Sequence, residues 1–89
     1  MPAQTVVIPN RLGLHARAAA KFVQTAARFS CDIAVTRGGN RVNGKSIMGL
    51  MMLAAAQGAE LELSTSGRDE IEAMSALLAL IEGRFGEAE

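Results

Sequence analysis

The sequence predicts an α+β domain: a βαββαβα open-faced sandwich with a four-stranded, mostly antiparallel sheet and three helices on one face. Three observations lead there. Cys31–Thr36 and Ala59–Thr65 alternate apolar and polar residues, the period of two expected of strands buried on one side. Ala16–Phe29 and the run from Ile71 to Ile81 repeat apolar residues at three- and four-residue spacing, as amphipathic helices do. The 89 residues suffice for one compact domain spanning 1–89 and are too few for two.

The elements follow in order. Gln4–Ile8 is rich in β-branched residues, and Pro9-Asn10 closes it as a strand. In Ala16–Phe29 the residues Phe22, Val23, Ala26 and Phe29 mark the buried face of a first helix. Cys31–Thr36 places Cys31, Ile33 and Val35 on one face, and Arg37-Gly38-Gly39-Asn40 turns the chain back into a short strand, Arg41–Asn43. Ser46 caps a second helix over Ile47–Ala56, which Gly58 ends. In Ala59–Thr65, Leu61 and Leu63 point inward while Glu60 and Glu62 point out. Ser66 starts the last helix, with Asp69 at capping-box distance and Glu70 placed favourably for the helix dipole. Ile71, Met74, Leu77, Leu78 and Ile81 form its buried stripe.

Composition narrows the function classes. The chain is 49% hydrophobic without a Trp or Tyr, so aliphatic residues, methionine and three phenylalanines must fill the core. No apolar run approaches the roughly 18 residues that a membrane span needs, and no basic stretch precedes an apolar one as in a signal peptide, so a soluble, cytoplasmic protein is expected. The single cysteine, Cys31, rules out an intrachain disulfide and a cysteine-cluster metal site; it reads as a small buried or half-buried strand residue. The zero net charge hides an asymmetry. Residues 1–45 carry seven basic side chains against Asp32 alone, +6, and residues 46–89 carry two against eight acidic ones, −6. The basic end suits an anionic ligand or an acidic partner.

The stretch GLHARAAAKF (13–22) holds the only histidine, His15, just before a helix start. Helix N-termini present unpaired backbone N–H groups and attract anions, phosphate above all. An anionic group attached to this ring would be stabilised there, and Arg17 can add a fork of donors to phosphoryl oxygens. Gly13 allows a tight turn that exposes the ring. Acid–base or acyl-transfer chemistry would want a neighbouring nucleophile and an orienting carboxylate, and neither lies near in sequence. A metal site would need further ligands that the first half lacks. No metal or cofactor site is expected, and a polar surface histidine without chemistry is the plain alternative.

Two motifs add to this reading. GLHARAAAKFV (13–23) resembles the active-site signature of the HPr family, the histidine-containing phosphocarriers of the bacterial phosphoenolpyruvate-dependent phosphotransferase system, and VNGKSIMGLMMLAAAQG (42–58) resembles that family's regulatory-serine segment. The resemblance covers essentially the whole chain. It implies that His15 accepts a phosphoryl group on Nδ1 from phosphorylated enzyme I and passes it to an enzyme IIA-type acceptor, with Arg17 as the active-site arginine. It further implies Ser46 as the residue that an HPr kinase/phosphorylase modifies where one is present. Such a protein is a monomeric, stoichiometric shuttle and no self-sufficient enzyme; phosphoenolpyruvate is used by enzyme I and is not bound here. The family usually has proline where Ala18 stands. Alanine is a good helix former, so transfer is expected to persist.

The helix after Ser46 is apolar nearly all round, more than a short helix on an open sheet can bury, so part of it should meet partners. The expected docking face combines Ala16, Arg17, Ala20, Ile47, Met48 and Met51, ringed by Arg11, Lys21 and Lys45. Met48 is expected to be exposed, and tight core packing stays open for Met52 and Met51. Alternatives are a non-catalytic, small-ligand-binding regulatory domain, and a nucleic-acid module, for which no aromatic pair or basic run speaks. Within the family, a sugar-uptake branch and a regulatory, nitrogen-type branch both fit.

Overall fold

The computed structural model describes residues 2–87. Strands β1 (Ala3–Val7), β2 (Asp32–Arg37), β3 (Asn40–Asn43) and β4 (Glu60–Ser66) form one sheet in the order β1-β4-β2-β3. All three pairings are antiparallel. Helices α1 (Ala16–Ala26), α2 (Ile47–Met52) and α3 (Glu70–Glu82) complete the βαββαβα order. Ile33, Val35, Leu61 and Leu63 are buried on the helical side of the sheet, while Glu60 and Glu62 stay in solvent. Phe22, Leu50, Leu77 and Phe85 fill the space between sheet and helices. Each such large side chain contributes about 1.5–3 kcal/mol through burial. Among the described residues, no helix is long and apolar enough to cross a membrane.

Three helix limits differ from the sequence expectation, one for a local reason and two for tertiary ones. α1 stops at Ala26, not Phe29, because the amides of Arg28 and Phe29 bond the carbonyls of Thr25 and Ala26, three residues back, and tighten the last turn. α2 stops at Met52, not Ala56. There Arg37 donates through Nη1 to the Leu53 and Ala54 carbonyls at 2.7 and 3.2 Å, and Ala54 turns left-handed with φ +51°. α3 starts at Glu70, since Ser66 remains in β4 and Asp69 is the N-cap residue. The Asp69 carboxylate makes no cap bond; it accepts the amides of Ser30 and Cys31 at 2.8 and 2.9 Å. These bonds hold its carboxyl below the ordinary aspartate range, the Ser30 amide most of all. Burial pushes the Cys31 thiol up, and Asp69 adds to the effect. The α3 stripe is also rotated from expectation: Ala73 is buried, and Ile71 is 69% exposed.

Candidate functional site

His15 is the N-cap of α1, in extended conformation with φ −80° and ψ −179°. Its backbone carbonyl accepts the Ala19 amide at 2.8 Å, the first helical bond. The ring bends over the helix start so that Nδ1 accepts the Arg17 backbone N–H at 3.2 Å. One unpaired donor of the helix terminus is thus aimed at Nδ1, the nitrogen that would carry a group there.

The segment leading in is fixed from several directions. Asn10 is fully buried; its carbonyl accepts the Gly13 amide at 3.1 Å, and its Nδ2 donates to the Gly13 carbonyl at 2.8 Å. Leu14 donates its amide to the Ala55 carbonyl at 2.8 Å, so the loop beyond α2 braces the histidine loop. Gly13 is required twice over: its φ is +69°, and a Cβ there would stand 2.5 Å from the Ala55 oxygen.

The ring is less open than the sequence suggests, with 28% of the side chain exposed. Glu87 reaches it from the other end of the chain, Oε2 lying 2.5 Å from Nε2 of His15. Asn10 Nδ2 donates to Oε1 of the same carboxylate at 3.0 Å. Asn10 and then His15 hold the Glu87 carboxyl below the ordinary glutamate range. Sequence reasoning sought an orienting carboxylate near His15 and found none. The contact spans 72 residues, and no local pattern announces it.

Ser46 is the N-cap of α2, and its Oγ accepts the Gly49 amide at 3.1 Å. α1 and α2 pack against each other. Of the expected docking residues, Ala16, Arg17, Ile47, Met48 and Met51 are exposed, and Ala20 is half-buried. Met48 is 72% exposed; Met52 and Met51, for which the sequence leaves core packing open, are 78% and 44% exposed. Leu12 is a further exposed apolar residue that the sequence reading missed. Two of the three basic residues expected to ring the face are committed to the backbone: Lys21 Nζ donates to the Phe85 carbonyl at 2.6 Å, and Lys45 Nζ to that of Phe29 at 2.7 Å. Among the described residues, no three His, Cys, Asp or Glu side chains gather as a metal site.

A family model described as the PTS HPr component phosphorylation site matches residues 2–83. The chain belongs to the HPr family. It is 62% identical over 86 residues to the phosphocarrier protein HPr of Neisseria meningitidis serogroup A, with 97% of each chain covered. A crystal structure of HPr from Thermoanaerobacter tengcongensis superposes with a TM-score of 0.96 at 52% identity over the whole of both chains. A crystal structure of an HPr dimer from the same organism gives a TM-score of 0.79 at 53% identity, covering 98% of this chain and 100% of that one. Phosphocarrier action in the phosphotransferase system, alongside enzyme I and enzyme II components, follows from membership of the family.

Proposed function

We propose that the phosphoryl group travels on Nδ1 of His15, received from phosphorylated enzyme I and handed to an enzyme IIA-type acceptor. The observation that carries this reading is the Arg17 amide directed at Nδ1 from the first turn of α1. Once a phosphoryl group occupies Nδ1, that N–H has an anionic oxygen to bond, and the helix dipole favours the charge. Arg17, exposed on the same turn, adds its guanidinium to the phosphoryl oxygens. Ala18 is buried within an intact α1, so a helical start without the family's usual proline supports retained transfer.

Ala16, Arg17, Ala20, Ile47, Met48 and Met51 serve as the docking face for acidic partner surfaces, and the flexible methionines adapt to more than one of them. Ser46 is the regulatory site, modified by an HPr kinase/phosphorylase where the cell has one. The protein works as a cytoplasmic monomer without a cofactor, as a shuttle that is charged and discharged, in either a sugar-uptake or a nitrogen-type regulatory branch. Intact mass after incubation with phosphoenolpyruvate and enzyme I tests this. Wild type should gain one acid-labile phosphoryl group, and His15→Ala should gain none. A second reading, non-catalytic ligand binding, has in its favour a groove of about 540 Å³ lined by Asp32, Arg41, Asn43, Lys45, Ser64 and Ser66. It takes first place if wild type gains nothing while another HPr charges in the same tube.

A further inference from the structure

We propose that Glu87 is a positioning residue for His15, which holds the ring with its hydrogen on Nε2 and its lone pair on Nδ1 and stabilises the charged ring that phosphorylation creates. This rests on the phosphocarrier reading of His15. Two hydrogen bonds fix the tautomer between them. The Arg17 amide donates to Nδ1, so that nitrogen holds the lone pair, and the hydrogen sits on Nε2, where Oε2 of Glu87 accepts it. A carboxylate behind an imidazole selects the tautomer and favours the ring when it becomes cationic.

The placement of Glu87 is built, because a free tail would not sustain it. After α3 the chain passes through Arg84, Phe85 and Gly86 with φ of +56°, +55° and +79°, three successive left-handed residues. Two of them carry side chains that disfavour this conformation, so surrounding contacts must enforce it. Phe85 is buried completely in the core, its carbonyl accepts Lys21 Nζ, and the amides of Gly86 and Glu87 bond the carbonyls of Gly83 and Arg84. Asn10, itself buried, then holds the second carboxylate oxygen. The family model match ends at residue 83, so the turn and Glu87 both lie beyond it.

The step balances without a proton moving. The Nδ1 lone pair forms the bond to phosphorus while the bond from phosphorus to the donor atom breaks, and its electron pair leaves with the donor. Nε2 keeps its hydrogen, the ring becomes an imidazolium, and its bond to the Glu87 carboxylate becomes an ion pair. On transfer to the acceptor the Nδ1–P pair returns to the ring, which is neutral again and already in the right tautomer.

The test uses the full chain labelled with 15N-histidine as wild type, Glu87→Gln and Glu87→Ala. Wild type and Glu87→Gln should show the Nε2–H tautomer, because the glutamine oxygen still accepts; Glu87→Ala should admit the Nδ1–H form. With enzyme I at a fixed ratio of phosphoenolpyruvate to pyruvate, the phosphorylated-to-free ratio should fall about fivefold in both variants, the size of a partly exposed ion pair lost from the charged ring. A residue that merely tethers the terminus would move neither readout. A wild-type ratio in Glu87→Ala overturns the proposal, as does a wild-type tautomer in that variant. If wild type itself takes up no phosphoryl group while another HPr charges, the phosphocarrier reading fails and the role of Glu87 falls with it.

Discussion

α1 is capped by His15 and α2 by Ser46, and in both the N-cap side chain accepts an amide from the turn it caps, that of Arg17 or that of Gly49. The two starts share this local physics and differ in everything beyond it. The Ser46 cap is made within three residues and needs nothing else. His15 is also gripped from behind by Glu87, through Asn10 and a strained turn anchored on Phe85. A hydroxyl can cap a helix in many orientations, but an imidazole that must offer one particular nitrogen has to be held on its other side. The difference separates a cap made by local bonds from a ring also held from a distance, as the proposed phosphoryl transfer at His15 requires.

The strongest way to break that contrast is to remove the anchor. Phe85→Ala empties a fully buried site and should cost about 3–5 kcal/mol, a large part of the stability of a domain this size. Denaturant unfolding measures the loss, and Phe85→Leu provides a milder step. In amide spectra of the leucine variant, His15 and Asn10 should shift while Gly49 stays in place. Equal shifts at both helix starts would dissolve the distinction.

Acid should separate the two regions next. Glu87 and Asp69 both have their carboxyls held below the ordinary range in the folded protein. A depressed carboxyl contributes stability that is complete above its unfolded value and is lost as pH falls through the folded one. The unfolded values lie near 4.5 and 3.8, so the loss runs downward from there. Glu87→Gln should flatten the Glu87 part of an acid unfolding profile and leave the Asp69 part. Hydrogen exchange should show the His15 loop opening as the pH drops, with the Gly49 amide still protected, because a hydroxyl cap does not titrate.

How much of this is visible in the chain follows the range of the interactions. The strand positions came within one residue because alternation is local and one face of each strand is buried. Ser46 and His15 were legible as helix starts for the same reason. What local pattern could not show was set from a distance. The end of α2 depends on Arg37, 16 residues before Leu53, and the start of α3 on an aspartate recruited by amides 38 and 39 residues away. Glu87 was visible only as one acid in an acidic tail. The best available clue was Phe85, a large aromatic just past the helix-ending Gly83.

Ser46 itself sharpens the comparison at smaller cost. Ser46→Ala removes one cap bond and should cost about 1 kcal/mol, with phosphoryl uptake within about twofold of wild type. Ser46→Asp keeps a capping oxygen and adds charge beside the proposed docking face, so stability should hold while the rate of charging by enzyme I falls, on the order of tenfold. An unchanged rate in the aspartate variant would sink the regulatory role proposed for this serine.

The smallest effect lies where the two regions meet. Ala54, just past the end of α2, has φ +51°, and the next carbonyl, that of Ala55, braces Leu14 in front of His15. Left-handed backbone costs a residue with a Cβ roughly 1–2 kcal/mol. Glycine removes that cost and gives back about 0.5–1 kcal/mol in unfolded-chain entropy. Ala54 is exposed, so little packing is lost with its methyl group. Ala54→Gly should therefore stabilise the domain by about 0.5 kcal/mol in denaturant unfolding, with phosphoryl uptake unaltered. The brace needs the position of the Ala55 carbonyl, which the glycine variant adopts more easily. A stabilised protein that charged slowly would mean that the strain at Ala54 helps to set His15, and the local helix end would then belong to the site.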